Sequence, residues 1–318
     1  MQTRRLSPPK LGDQPMPKAE GSRWPNLAAV VLLAGSVRPS KLRKASGRCG
    51  LELPVASHRT VFDCWLDELL AVAAAHTVEV LRVRVMVDRM TRLAPTDRPV
   101  EPLLLSIEQD PSEFRGTGGL LHDLAKGYDD DQYMLVGHGS QLLFVPLLEQ
   151  AEAMADTGAD FALVADADGA PAGLMLIRCG CLRKISGVGF VDLNEQALPA
   201  IAQQHDVRVV RFDRRTTGPV RTRAAYIRTL RELHRRKSGV MGTDPGLAED
   251  WRPMFGIIED GSQVHERTVV HDSVVLGGAR VEPGAVLVRS VVCPGAVVGK
   301  GQRVIDSVVD GGLRALPD

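Results

Sequence analysis

Aromatic residues are scarce: 7 Phe, 3 Trp and 3 Tyr among 318 residues. A chain this poor in flat side chains lacks the stacking platforms on which proteins hold single-stranded nucleic acid. Neither sign of charge is in excess, because 39 Lys+Arg stand against 39 Asp+Glu. Proteins built to hold nucleic-acid phosphates or an anionic membrane need a positive surplus, so neither partner is expected. Long apolar runs are missing as well. The longest, from Leu27 to Ala34, is far short of the roughly 18 residues that suggest a membrane span. The first 26 residues hold Pro8, Pro9, Pro15, Pro17 and Pro25 but no apolar stretch of signal-peptide length, so the tail reads as disordered and the protein as cytoplasmic. The five cysteines, Cys49, Cys64, Cys179, Cys181 and Cys293, are an odd number without disulfide-framework or zinc spacing. Cys179-Gly-Cys181 reads as a strand with two thiols on one face. What remains is a globular composition, 44% hydrophobic and 25% charged, with 31 Gly and 20 Pro for turns.

From Leu27 to about Lys237, short β-branched runs alternate with helical patterns, which argues for an α/β layered domain with a mostly parallel sheet. The run Ala28 to Ala34 is apolar on both sides, as a strand covered by helices on both faces must be. Thr60 with Asp63 opens a helix in the manner of a capping box, and Phe62, Trp65, Leu66, Leu69, Leu70 and Ala73 follow at helical spacing. Strands are expected over 78–87, 103–107, 133–136, 161–164 and 174–177, and helices over 118–126, 141–156 and 221–237. Asp166-Ala-Asp168-Gly169 reads as a tight turn joining two strands, because Asp-Gly suits the backbone of such turns. The same Asp-x-Asp also matches a metal-binding pair of glycosyltransferases, a reading given less weight. His122-Asp123 is expected at the surface.

The C-terminal part repeats. Ser273-Val-Val, Ser290-Val-Val and Ser307-Val-Val recur every 17 residues. Between them aliphatic residues fall at Val269, Val275, Val281, Leu287, Val292, Val298 and Val304, with small residues at Ser273, Ala279, Ala285 and Ala296. This is the hexapeptide pattern of a β-helix, in which the first aliphatic of each unit points inward and three units complete a coil. So few coils cannot bury their faces alone, so the β-helix is expected to lean on the preceding domain or on another subunit. The expected organisation is a tail (1–26), an α/β domain (27–237), a linker (238–256) and a β-helix (257–318).

An α/β domain opening with Ala-Val-Val-Leu-Leu-Ala-Gly and followed by a short hexapeptide β-helix resembles the sugar-1-phosphate nucleotidyltransferases, over nearly all of residues 27–310. The resemblance implies a Rossmann-like nucleotide-diphospho-sugar transferase fold with a left-handed parallel β-helix behind it. The stretch Leu33-Ala-Gly35-Ser36-Val-Arg38-Pro-Ser-Lys41-Leu42 matches the family's Gly-rich loop around the nucleotide triphosphate. It implies phosphate contacts from Gly35, Ser36 and Lys41 and a catalytic role for Arg38. Arg115-Gly116-Thr117-Gly118-Gly119-Leu-Leu is similar to the stretch that lies against base and sugar, with Gln109 upstream to read a base edge. Tyr133-Met-Leu-Val-Gly137-His138 occupies the place of the strand that ends in a metal-binding Asp.

Here the sequence departs from the family. His138 and Ser140 replace oxygen anions that Mg²⁺ requires, no Glu-Lys-Pro element is found, and Arg214-Arg215-Thr-Thr-Gly stands where a second metal Asp is usual. Mg²⁺ is the cofactor the resemblance implies, yet its carboxylates are not found. Arg214, Arg215, Arg221 and Arg223 are candidates to neutralise phosphate without a metal, or else a solvated helix face. The expected function is nucleotidyltransferase-like binding of a nucleotide or nucleotide-sugar, as an atypical sugar-1-phosphate nucleotidyltransferase or as a non-catalytic regulatory or scaffold subunit. A homo- or hetero-oligomer through the β-helix is expected. An acyltransferase of the hexapeptide type ranks last, since only His265 and His271 lie near the first coil.

Overall fold

The computed structural model describes residues 26–35, 39–76, 79–89, 91, 93, 100–110, 115–185, 189–237, 255–312 and 315–317. The tail ahead of Asn26, the loop residues Ser36 and Arg38, Val78, and positions 238–254 of the expected linker lie outside the described residues.

The elements before the repeats are β1 (Leu27–Leu33), α1 (Lys41–Ser46), β2 (Pro54–Ala56), β3 (Arg59–Thr60), α2 (Val61–Ala75), β4 (Leu81–Val87), β5 (Leu103–Gln109), α3 (Gly116–Ala125), β6 (Tyr133–His138), β7 (Gln141–Leu143), α4 (Leu147–Ala155), β8 (Phe161–Ala165), β9 (Pro171–Arg178), α5 (Cys179–Arg183), α6 (Leu198–Ile201), β10 (Val207–Arg211), β11 (Thr217–Pro219) and α7 (Arg223–Lys237). Seven of the strands form one sheet in the order β10-β8-β9-β6-β1-β4-β5. β1 runs parallel to β4 and β6, β4 to β5, and β8 to β10, while β9 is antiparallel to both β6 and β8. The sheet is therefore mixed. Val30 and Leu32 of β1 join Trp65, Leu66 and Leu69 of α2 in one buried cluster, and Val31 and Leu33 join Leu120 and Leu121 of α3 and Leu182 of α5 in the other. With apolar partners on both faces, β1 must be a continuous apolar run, as its sequence shows.

Helix α2 starts at the expected capping box: Thr60 Oγ1 accepts from the Asp63 N–H at 3.2 Å, and Asp63 Oδ2 accepts from the Thr60 N–H at 2.8 Å. The Asp166–Gly169 turn also forms, with the Gly169 N–H on Asp166 O at 2.8 Å and the Ala170 N–H on Asp168 Oδ1 at 2.9 Å. Three expectations need correction. The helix expected over 141–156 is β7 followed by α4, because the residue before Pro146 is biased away from helix and Pro itself suits a helix start. Cys179-Gly-Cys181 is the first turn of α5 rather than a strand. The Cys179 and Gly180 N–H groups bond to the carbonyls of Gln132 and Asp130, which turns the chain off the sheet. His122 is buried rather than on the surface, with Nδ1 3.0 Å from the Leu182 carbonyl oxygen.

The repeats form β12 (Gly256–Ile258), β13 (Gln263–Val264), β14 (Val269–His271), β15 (Ser273–Val275), β16 (Arg280–Val281), β17 (Val286–Val288), β18 (Val291–Val292), β19 (Val297–Val298), β20 (Arg303–Ile305) and β21 (Ser307–Val309). They pair in parallel as three sheets, β12-β15-β18-β21, β13-β16-β19 and β14-β17-β20, with β22 (Ala315–Pro317) added antiparallel to β21. Val274 pairs with Val291 and Val291 with Val308, so each step along a sheet is the 17-residue period. Three parallel sheets at this register are compatible with the coil that the sequence suggests.

Register places the buried columns at Val264/Val281/Val298, Val270/Leu287/Val304 and Val275/Val292/Val309. Val269, expected inside, is 54% exposed, and its neighbour Val270 holds the inward position instead. A one-residue slip reverses the face of a strand. The step from one inward residue to the next is thus five residues wherever the chain leaves the third sheet. There Asp272, Arg289 and Asp306 take left-handed backbone with φ of 45°, 49° and 49°. The tighter corner saves a residue. Above it Ser273 Oγ accepts from the Ser290 N–H at 3.0 Å and Ser290 Oγ from the Ser307 N–H at 3.2 Å, which explains the repeated serine.

The first repeat sheet is apolar on both faces. Val275, Val292 and Val309 point among the repeats, whereas Val274, Val291 and Val308 belong to the same buried cluster as Leu42, Leu51, Leu53 and Val55. Helix α7 adds polar ties, from Arg223 Nη1 to the Arg289 carbonyl oxygen at 2.8 Å and from Arg231 Nε to Asp272 Oδ2 at 2.7 Å.

Candidate functional site

In open α/β sheets ligands bind beyond the carboxyl ends of strands, where neighbouring connections leave in opposite directions. In this sheet that place lies between β1 and β6, because the order runs from β1 to β4 and β5 on one side and from β6 to β9, β8 and β10 on the other. The Gly35 N–H bonds to Met86 O at 3.1 Å and the Gly139 N–H to Leu33 O at 2.9 Å, which pins the start of both departing loops. A cleft of about 300 Å³ opens beside them, lined by residues that include Ser40 and Arg43 after β1, Ser140 after β6, and Arg221 and Thr222 ahead of α7.

Each polar wall has a local cause. Ser40 caps α1, its Oγ accepting from the Arg43 N–H at 3.2 Å. Arg43 Nη2 lies 2.8 Å from Asp88 Oδ1 at the end of β4 and also donates to Thr91 Oγ1. Arg48, also in the wall, donates to Glu259 Oε1 at 2.7 Å, so its charge is answered from the first repeat. Thr222 Oγ1 accepts from the Ala225 N–H at 3.2 Å, which caps the N-terminal end of α7 at the cleft wall. Arg221 is exposed and makes no ion pair among the described residues. Gly50 must be glycine here, since a Cβ would meet Ser140 Oγ at 2.7 Å. A guanidinium with no internal carboxylate, beside the positive end of a 15-residue helix, is an arrangement that receives an oxyanion.

The residues singled out from sequence are distributed differently. Gly35 and Lys41 flank the loop after β1, both exposed, while Ser36 and Arg38 lie outside the described residues. Gln109 ends β5 with an exposed side chain. Gly116, Thr117, Gly118 and Gly119 start α3, where residues 191–193 cover the first three and the Arg115 side chain lies against Gly119. The Gly118 N–H bonds to Val191 O at 3.0 Å, Thr117 Oγ1 accepts from the Leu193 N–H at 3.3 Å, and a Cβ on Gly116 would stand 2.4 Å from Val191 O. Gly137 faces Trp65, whose Cη2 would be 2.9 Å from an added Cβ. These glycines are therefore explained by packing of one chain segment on another.

His138 does end β6, as expected, and is half-buried. Burial pushes its imidazole pKa below the usual 6.5, and the positive charge of Arg221 adds to the effect. A half-buried imidazole near a guanidinium is a poor environment for a hard divalent cation. The residues at this place do not fit Mg²⁺. Of the four arginines proposed to replace it, only Arg221 lines the cleft. Arg214 pairs with Glu149 at 2.8 Å, Arg215 Nε donates to the Thr217 carbonyl oxygen at 3.0 Å, and Arg223 is buried against the repeats. Tyr226 likewise faces inward and donates to Pro54 O. Sequence reading passed over Arg43, Arg48 and Thr222, since their shared cleft exists only once α1, α7 and the first repeat are brought together.

No protein-family model matches the chain, and no curated protein does. Among solved structures, the crystal structure of HddC from Yersinia pseudotuberculosis is similar at 13% identity and a TM-score of 0.46, over 64% of this chain and 99% of that chain.

Proposed function

We propose that this chain is a nucleotidyltransferase-like protein whose cleft binds the phosphates of a nucleotide or nucleotide-sugar. The observation that carries the reading is Arg221, exposed and without a carboxylate, next to the Thr222-capped start of α7 in a cleft walled by the chain after β1 and after β6. Anions are held there by the guanidinium fork and by helix N–H groups. Gly35, Ser36, Arg38 and Lys41 are read as further phosphate contacts of the same ligand. Residues 257–318 are read as a short β-helix behind an α/β domain of residues 27–237, and the β-helix as the route to an oligomer.

A second reading is favoured by His138. If the chain were a sugar-1-phosphate nucleotidyltransferase, pyrophosphate release would need cations or their replacement at the α-phosphate, and the imidazole stands where a carboxylate is implied. The binding would then serve a regulatory or scaffold role. A thermal-shift panel of nucleoside triphosphates and nucleotide-sugars, each with and without Mg²⁺, separates the outcomes. A ligand at a hundred times its dissociation constant adds about 2.7 kcal/mol. A shift indifferent to Mg²⁺ supports the non-catalytic reading. A Mg²⁺-dependent shift with pyrophosphate release supports the enzyme, and no shift with any ligand overturns both.

A further inference from the structure

At the opposite edge of the sheet from the cleft, β9 ends at Arg178, β8 starts after Asp160, and β10 starts after Asp206. Three side chains of different chemistry meet there. The ligand atoms of Asp160, Cys181 and His205 all lie within 4.8 Å of one another. Asp160 Oδ2 is 3.2 Å from His205 Nδ1, and its other oxygen, Oδ1, is 3.0 Å from Arg178 Nη2. Cys181 is fully buried in α5. The His205 side chain is only 9% exposed, and its Nε2 is shut off from solvent with no hydrogen-bond partner. A carboxylate, a buried thiol and a nearly buried imidazole thus share one place, and each is a metal-ligand type.

We propose that Asp160, Cys181 and His205 bind a zinc-type divalent ion through one carboxylate oxygen, one thiolate and one imidazole nitrogen, with a fourth position left for water. Sulfur and nitrogen donors together select a borderline-soft metal over Mg²⁺ or Ca²⁺. Zinc bonds of about 2.0–2.3 Å put tetrahedral ligand atoms roughly 3.3–3.7 Å apart, so a trio within 4.8 Å needs to close by about 1.5 Å at most. Arg178 keeps the second oxygen of Asp160 and orients it, the part outer partners play around metal ligands. The Cys181 proton leaves to solvent as the metal–sulfur bond forms. The ion ties the start of α5 to the residues just ahead of β8 and of the edge strand β10, a structural role remote from the cleft.

The test is titration of the metal-free full-length protein with Co²⁺, followed by its thiolate charge-transfer absorption, with Zn²⁺ thermal shifts alongside. The expected result is a band that saturates at one equivalent, is displaced by Zn²⁺, is lost in Cys181→Ser and survives in Cys179→Ser. Cys179 is a buried thiol of the same helix turn outside the trio, so it controls for folding and for stray thiol binding. His205→Gln is expected to weaken Co²⁺ binding at least tenfold. Absence of the band from the parent protein, or its persistence in Cys181→Ser, overturns the proposal. Neither result bears on nucleotide binding in the cleft, which the thermal-shift panel reads separately.

Discussion

Two side chains at the carboxyl edge of the sheet, Arg221 and His138, carry opposite lessons. Arg221 reaches the cleft without an internal partner, so its replacement leaves no buried charge behind and reports on ligand alone. Arg221→Ala is expected to weaken nucleotide binding by about tenfold or more, the value of a charge-assisted hydrogen bond of ~1.5–3 kcal/mol, while leaving the unliganded melting temperature within about a degree. An unchanged dissociation constant in calorimetry would remove Arg221 from the site. His138 acts on stability instead. Because its folded-state pKa is lowered from 6.5, the unfolded chain takes up a proton at this residue before the native one does. Stability from this group is complete above that pH and declines as the pH falls below it. Urea midpoints measured downward from neutral pH should therefore drop less steeply in His138→Asn than in the parent, and equal slopes would exclude His138 as the cause. In sequence His138 is visible as a departure from a motif. That Arg221 acts on it is not, because the two are brought near each other only by the pairing of β7 with β11.

Among the elements, the repeat sheets were the most legible, since a 17-residue period writes itself directly into Ser-Val-Val. Even so, the register at Val269 differs from the expected one, and Val270 is the inward residue. Two adjacent valines offer no pattern by which to choose a face, and the choice is made by the corner at Asp272. The corner itself yields a prediction. Arg289 sits at φ 49°, and its ion pair with Asp306 joins two side chains that are 38% and 45% exposed, a pair of small value in water. Arg289→Gly should leave stability nearly unchanged, because relief of left-handed backbone offsets the lost contacts. Arg289→Val should cost about 1–2 kcal/mol or more, as a β-branched side chain is disfavoured there. Chemical denaturation of the two variants checks the ordering, and equal losses would mean the guanidinium matters more than the backbone. Elsewhere the strong local signals held. The Thr60–Asp63 capping box and the Asp168-Gly169 turn form where expected, whereas the Gln141–Asp156 segment splits at Pro146 into β7 and α4.

Over the whole molecule, the expected division into an α/β unit and a separate repeat unit meets a shared interior. Val274, Val291 and Val308 lie in the buried cluster that holds Leu42, Leu51, Leu53 and Val55. Apolar surface shared in this way makes the two parts unfold together. Differential scanning calorimetry is expected to show one transition, and a chain ending at Lys237 should expose that surface and bind a hydrophobic dye. Two separated transitions would count against it. The amino-acid order by itself determined the apolar strand at Leu27, the capped helix after Thr60 and the 17-residue period, because each depends on neighbours a few residues apart. Only the tertiary structure decided that Gly116 and Gly118 serve Val191, that one arginine of four reaches the cleft, and that Asp160, Cys181 and His205 meet. Those contacts join residues far apart in the chain, and their partners are chosen by packing that no local spacing records.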